Sequence, residues 1–169
     1  ICERWEMLLG AKTSSLCPEY KQVVFFVKTE AENIFINGSV FANEQIFAAI
    51  KLLQNGQKLV TENKLIAFCS NNCSDLSFDN YSEKVNSLAQ IWDIFLLNED
   101  AIKADFELLT KRRTSQALPE YVTAIAPENI FLEKGAIVNP CIINASKGPI
   151  YVGQNAEIME GCMLRGPIA

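Results

Sequence analysis

The stretch Asn129 to Ala169 carries a six-residue beat of aliphatic positions that appears nowhere else in the chain. Val152, Ile158 and Leu164 fall six apart, and Ala156, Cys162 and Ile168 follow them at a distance of four, with Gly153 as a permissive corner after the first aliphatic. Leu132 and Val138 start the same beat earlier, with Ala136 and Ile142 as companions. Asn144 continues the count, and eight residues then separate it from Val152, so Ser146-Lys147-Gly148-Pro149 is expected to hold a two-residue insertion at a corner. A hexad period predicts a parallel β-helix, in which short strands coil into a prism and no repeat buries its apolar face alone. The aliphatic of each hexad points inward, and the residue four later lies near a corner where space is short, hence Ala and Cys. Strict alternation would describe an ordinary strand, and Glu133, Lys134, Gly153, Gln154 and Asn155 break it. A plain antiparallel sheet rich in Gly turns is the competing expectation. The beat reaches Ala169 without a polar cap and the chain starts at Ile1 without an initiator Met, so an internal piece of a longer protein is expected.

Upstream the pattern changes to mixed helix and strand. Ile1, Trp5, Leu8 and Leu9 form one face of a helix closed by Gly10, while Glu3, Arg4 and Glu6 take the other face. Val23 to Val27 is a short apolar run that predicts a strand. Asn33-Ile34-Phe35-Ile36-Asn37-Gly38-Ser39 predicts a buried strand ended by a turn. Asn43 is placed to cap a helix with Ile46, Phe47, Ile50 and Leu53 on its apolar face and Asn55-Gly56 as its stop. Leu59-Val60 and Leu65 to Phe68 flank Thr61-Glu62-Asn63-Lys64, which predicts a hairpin with the second strand more buried. Ser70 to Ser82 is polar and expected to be a surface loop. Val85 to Leu97 places Leu88, Ile91, Trp92 and Phe95 at helical spacing. Asn98 is then expected to cap a helix from Glu99 to Thr110, acidic in its first turn and basic at its end, with Ile102, Phe106 and Leu109 facing inward. Arg113 to Pro127 has the composition of a linker, and the boundary is placed near Ala126: residues 1–126 form an α/β domain with linker and residues 127–169 the first coils of the repeat.

Composition narrows the function classes. With 49% hydrophobic and 21% charged residues in 169, the chain has apolar mass for a core. A net charge of -5 with one short basic run, Lys111-Arg112-Arg113, argues against a nucleic-acid surface; cations there suit a helix C-terminus. No apolar stretch has the length of a membrane helix, and no signal-peptide pattern is visible. The six cysteines are scattered, with Cys2, Cys69, Cys141 and Cys162 inside apolar patterns, as small hydrophobes in a reducing cytoplasm. Cys69 and Cys73 are the one close pair, and with no His in the chain they lack the spacing of a zinc site, so no metal ligand is assigned. Asp75, Asp79, Glu99 and Asp100 are acids at loop and helix-start positions, where solvation is the ordinary state, and they are not assigned to Mg²⁺ either.

Ligands in open α/β sheets bind beyond the carboxyl ends of strands, which makes Asn37 the candidate substrate contact, a hydrogen-bonding partner for a nucleotide or sugar. The alternative reading of Asn37 is a turn residue tolerating left-handed backbone before Gly38. No Gly-rich phosphate loop is present, and the chain contains no His to act as a general base.

Four phrases, Ile1 to Gly10, Asn33 to Ser39, Leu96 to Phe106 and Asn139 to Ile150, together with the order α/β domain then hexad repeat, resemble the sugar nucleotidyltransferase-like proteins of Bacteroidetes-type bacteria. That family is described as an alternate form of the bifunctional UDP-N-acetylglucosamine diphosphorylase and glucosamine-1-phosphate N-acetyltransferase. The resemblance spans nearly the whole chain. It implies a Rossmann-like nucleotidyltransferase domain that joins a nucleoside triphosphate, UTP, to a sugar 1-phosphate, N-acetylglucosamine 1-phosphate, with Mg²⁺. It further implies a left-handed parallel β-helix that trimerises and, in bifunctional members, transfers acetyl from acetyl-CoA to glucosamine 1-phosphate. The segment with which the family grips its nucleotide would lie before Ile1, so the catalytic residues are expected outside these 169 and the piece alone is expected to be inactive. A cytoplasmic location with no nucleic-acid or membrane partner follows from the same reading. Two other classes stay open: a non-catalytic sugar-nucleotide-binding or scaffolding solenoid, and a monofunctional hexapeptide acyltransferase.

Overall fold

The structure, a computed structural model, describes residues 1–61, 64–69, 77–82 and 85–169. The chain divides into two compact units, Ile1–Ala89 and Gln90–Ala169.

The first unit opens with α1, Cys2–Leu9, which Gly10 ends in the left-handed conformation at φ 65°, its N–H donating to the Glu6 carbonyl. Trp5 is buried and its Nε1 donates to the Val40 carbonyl at 3.2 Å, so the indole leaves no buried donor unmet. Arg4 is buried beside it, although the helical count put it on the polar face; neighbouring residues on a helix are only about 100° apart, and a long aliphatic stem packs against apolar surface. Val23 to Val27 forms no strand: a single 3₁₀ turn, Glu19–Lys21, leads into exposed residues, with Val23 at 90% exposure. Propensity without a partner strand does not make a sheet.

Strand β1, Ile34–Ile36, lies where the sequence predicts a strand but at the edge of its sheet, with Ile34 exposed rather than buried. Helix α2, Glu44–Lys51, starts on Asn43, whose Oδ1 accepts from the Ile46 N–H at 2.7 Å, and buries Ile46 and Ile50 completely. It stops at Lys51, short of Asn55-Gly56. Strands β2, Gln57–Thr61, and β3, Lys64–Cys69, pair antiparallel, and β1 pairs antiparallel on the far side of β3. Both are interior strands, and β3 is the more buried of the two, with Ile66 and Ala67 fully covered. The expected polar loop after β3 contains a fourth strand, β4, Ser77–Asn80, which pairs parallel with β2 at the other edge, where polar residues are tolerated. Residues 70–76 of that stretch, Cys73 and Asp75 among them, and Glu62 and Asn63 of the expected hairpin turn lie outside the described residues. The sheet order is β1-β3-β2-β4, and its core joins Trp5, Val40, Ile46, Ile50, Leu59 and Ile66.

In the second unit the helix expected over Val85 to Leu97 shrinks to α3, Asp93–Leu96, with Ile91, Trp92, Ile94, Phe95 and Leu96 exposed. Helix α4, Asn98–Thr110, follows at once, so Leu97 occupies the cap position and Asn98 is the first helical residue rather than the cap. The Arg113 guanidinium donates back to the Leu109 carbonyl at 3.1 Å, a cation at the helix C-terminus as the dipole favours.

Seven short strands then stack: β5, Thr123–Ile125; β6, Ile130–Leu132; β7, Ile137–Val138; β8, Ile142–Asn144; β9, Ile150–Val152; β10, Glu157–Ile158; and β11, Met163–Arg165. They form three ladders, β5-β8-β11, β6-β9 and β7-β10, and every pairing among them is parallel, which excludes the antiparallel alternative for these strands. Thr123 stands beside Ile142 and Ile142 beside Met163, returns of 19 and 21 residues; Ile130 stands beside Ile150 and Ile137 beside Glu157, returns of 20. Ile130, Leu132, Ala136, Val138, Cys141, Ile143, Ala145, Ile150, Val152 and Ile158 form the core, with Leu164 packed against it. The count slips earlier than the sequence suggests. Ile143, fully buried, is the inward residue, and Asn144 is not; five residues separate Val138 from Ile143, against six from Ile158 to Leu164 in the next circuit, and nine separate Ile143 from Val152. Asn144 instead turns the corner, its Oδ1 accepting from the Ser146 N–H at 3.0 Å and hydroxyl at 2.6 Å. Of the expected corner companions, Ala136 is buried while Ile142 and Ala156 are exposed. Left-handed backbone falls at Gly135, Asn155 and Gly161, not at Gly153.

The segment expected to be a linker packs along the first circuit. The Gln116 N–H donates to the Leu132 carbonyl, its Nε2 donates to the Ala136 carbonyl and its Oε1 accepts from the Gly135 N–H. Ser115 Oγ accepts from the Leu132 N–H, and Leu118 and Val122 cover the core. Backbone groups of an edge strand are thereby satisfied.

Candidate functional site

The carboxyl end of β1 builds a polar corner. The Asn37 N–H donates to the Ile66 carbonyl at 2.8 Å, which carries the sheet one residue past the strand. Its side chain then does two things. Oδ1 accepts from the Ser39 N–H at 3.0 Å and from the Ser39 hydroxyl at 2.9 Å, and Nδ2 donates to the Leu65 carbonyl at 2.9 Å. The turn is therefore held by the Asn side chain, and neither Asn37 nor Gly38 takes the left-handed backbone that the turn reading supposed. An amide nitrogen carries two hydrogens, and the Leu65 carbonyl takes one of them.

Two residues that the sequence does not single out stand at the same corner. Lys64, the first residue of β3, donates from Nζ to Ser87 Oγ at 2.7 Å. Ser87 bridges Val40, and the Leu88 N–H donates to the Ser39 carbonyl at 2.8 Å. Antiparallel pairing is what brings them together, because it sets the start of β3 beside the end of β1. The corner thus offers an amide, two hydroxyls and one ammonium, groups suited to sugar hydroxyls and phosphate oxygens.

A second constellation lies on the outer face of the β6-β9 ladder. Phe131 and Tyr151 are in register and stack with ring centroids 5.6 Å apart and planes 4° from parallel. The Arg113 guanidinium lies 5.2 Å from the Phe131 centroid and donates to Glu133 Oε2 at 2.6 Å, while the Tyr151 hydroxyl donates to Glu133 Oε1. Arg113 and then the Tyr151 hydroxyl hold the Glu133 carboxyl below the usual range, and the Glu133 carboxylate raises Arg113. Burial, with the neighbouring Glu133 charge, pushes the Tyr151 phenol up. Both carboxylate oxygens of Glu133 are bonded within this cluster while the other arm of the Arg113 guanidinium holds the Leu109 carbonyl, so the cluster fastens the chain after α4 to the strand stack. The 20-residue return, applied to Phe131, would have pointed to Tyr151.

Of the acids considered as cation ligands, Asp75 is outside the described residues, Glu99 is exposed and paired with Lys103 at 2.6 Å, and Asp100 is exposed. Among the described residues no three His, Cys, Asp or Glu side chains gather where a metal ion would sit. Also among the described residues, no helix is long and apolar enough to cross a membrane.

No curated protein and no solved structure matches the chain. The family whose model describes a sugar nucleotidyl transferase does match, over residues 1–114, a span that holds α1, the four-stranded sheet with its polar corner, and α4. The chain belongs to that sugar nucleotidyl transferase family.

Proposed function

We propose that the chain is part of a sugar-phosphate nucleotidyltransferase that joins UTP to N-acetylglucosamine 1-phosphate and releases pyrophosphate. In the same proposal the strand stack is the start of a left-handed parallel β-helix of the hexapeptide acyltransferase type, which assembles as a homotrimer and acetylates glucosamine 1-phosphate from acetyl-CoA. The observation that carries the reading is one of order: a sugar nucleotidyl transferase match over 1–114 runs directly into parallel strands that return every 19 to 21 residues. Three hexads make 18 residues, and corner insertions lengthen that to the return seen here.

The described residues do not fit Mg²⁺, having no gathered carboxylates. Nor does this chain hold a histidine to act as general base toward an acetyl donor. What its own residues supply is binding. Asn37 would donate from its side-chain amide to a sugar or ribose hydroxyl, and Lys64 would swing from Ser87 to a phosphate oxygen.

The test is an assay for pyrophosphate release with UTP, Mg²⁺ and N-acetylglucosamine 1-phosphate. It compares the 169-residue chain with one extended upstream by the sequence that encodes it. Turnover is expected only from the extended chain. Turnover by the 169 residues alone would show that the catalytic groups are misplaced, and none from either would favour the non-catalytic solenoid.

A further inference from the structure

We infer that Cys141 and Cys162 form a reversible disulfide pair, a redox-operated staple between successive circuits of the strand stack. The register places them together: Ile142 faces Met163 and Ile143 faces Leu164 in the β8-β11 ladder, so the preceding residues, Cys141 and Cys162, are the next rung. The Ile142 N–H donates to the Cys162 carbonyl at 3.0 Å, which fixes that rung. Both side chains share the side of the ladder that carries Ile143 and Leu164: Cys141 is part of the core, and Cys162 packs against it.

Neighbouring parallel strands lie about 4.8 Å apart, inside the roughly 4.4–6.8 Å between Cα atoms that a disulfide accepts. Parallel side chains leave the Cβ atoms about as far apart as the Cα atoms, roughly 1 Å more than the disulfide mean, so the bond closes with some strain. Strained disulfides are the readily reduced ones, which suits a switch better than a permanent brace. Neither cysteine lies within a strand, but their carbonyls accept from the Thr123 and Ile142 N–H groups, so closure works against backbone that is already bonded.

The two thiols have different parts. Cys162 adjoins β11, the edge strand of its ladder, and is half-buried, whereas Cys141 is buried; burial, with Cys162 beside it, pushes the Cys141 thiol up. With a low-molecular-weight disulfide as oxidant, the Cys162 thiolate attacks one of its sulfurs. The reagent's S–S bond breaks, one small thiolate leaves, and a mixed disulfide stands on Cys162. Cys141 then gives up its proton to water and attacks the Cys162 sulfur, and the second small thiolate leaves. Two protein thiols are oxidised by two electrons, and the reagent is reduced to two thiols.

The experiment treats the reduced full chain with oxidised glutathione under native conditions and maps its peptides without reduction. The expected result is a linked Cys141–Cys162 peptide and two fewer titratable thiols. The midpoint of thermal unfolding should rise by about 5 °C and revert with dithiothreitol. Cys141→Ser should accumulate the glutathione adduct on Cys162, and Cys162→Ser should leave Cys141 unmodified. Native oxidation that modifies Cys2 and Cys17 while Cys141 and Cys162 stay free, or a link that forms only after denaturation, overturns the pair. The wild-type map decides this even if a variant fails to fold.

Discussion

Tyr151 stands one circuit from Phe131, ring on ring with centroids 5.6 Å apart, and its hydroxyl is bonded to the Glu133 carboxylate that Arg113 also holds. The pair shows how this unit is locked from outside as well as from its core. Successive circuits are tied by hydrogen bonds along the ladders. The chain leaving α4 is tied to them by an ion pair backed by an aromatic face and by the hydrogen bonds of Ser115 and Gln116.

Replacing Glu133 with Gln tests that lock through pH. The folded-state pKa of Glu133 is depressed below its unfolded value, so its contribution is present above the ordinary carboxylate range and is lost as pH falls through the depressed value. Glu133→Gln should therefore melt a few degrees below the parent at pH 7, and the gap should close in acid below the normal glutamate pKa of 4.5. A gap that stays constant down to pH 2 would mean that Glu133 acts by shape, not charge.

Adjacent isoleucines give the strictest check on register. Ile143 is fully buried and Ile142 is 39% exposed. Ile143→Ala should cost about 2–4 kcal/mol by the cavity it leaves, while Ile142→Ala should cost less than about 1 kcal/mol. Urea unfolding of the two variants measures both, and a reversal of their order would shift the whole ladder by one residue. The same logic makes Ile158→Asp severe, since Ile158 is buried, and Glu157→Lys mild, since Glu157 is exposed.

What could be read in the sequence was what depends on near neighbours or on a fixed period. Asn43 as a cap, Gly10 as a stop and the inward set Leu132, Val138, Val152 and Ile158 are of this kind. What failed depends on partners far along the chain. Val23 to Val27 looks like a strand but pairs with no strand among the described residues, while polar Ser77 to Asn80 becomes a strand because β2 offers an edge. The slip at Ile143 was hidden because Ile142, Ile143 and Asn144 all fit some hexad, and only the pairing with Leu164 chooses among them. The polar corner was half legible. Asn37 follows from its place at a strand end, whereas Lys64 arrives by the pairing of β1 with β3 and Ser87 by its bridge to Val40.

Asn37→Ala removes three side-chain hydrogen bonds at once and frees the Ser39 turn. Net hydrogen-bond contributions near 1 kcal/mol, discounted for partial exposure, predict a loss of about 1–3 kcal/mol. Asn37→Asp keeps the acceptor for Ser39 but faces the Leu65 carbonyl with an oxygen in place of an N–H, so it should lose about 1–2 kcal/mol. Equilibrium unfolding in urea checks both, and an unchanged midpoint for Asn37→Ala would show that the turn holds without its side chain.

Two glycines in one circuit should answer the same substitution in opposite directions. A Cβ on Gly166 would sit 2.1 Å from the Gly148 carbonyl oxygen and 3.0 Å from that of Pro149, both backbone atoms that cannot swing aside. Since the Gly166 N–H also donates to the Asn144 carbonyl at 3.0 Å, relief of the clash would break the rung that holds the corner. Gly166→Ala should destabilise by about 2 kcal/mol or more. Gly153 has no atom within 4 Å of the added methyl and no left-handed backbone, so alanine there restricts only the unfolded chain and should stabilise by about 0.4–1 kcal/mol. Thermal and urea unfolding of both variants measure the contrast. A tolerated Gly166→Ala would mean that the approach of residues 148 and 166 is looser than drawn, and a destabilising Gly153→Ala would mean that something packs on that corner.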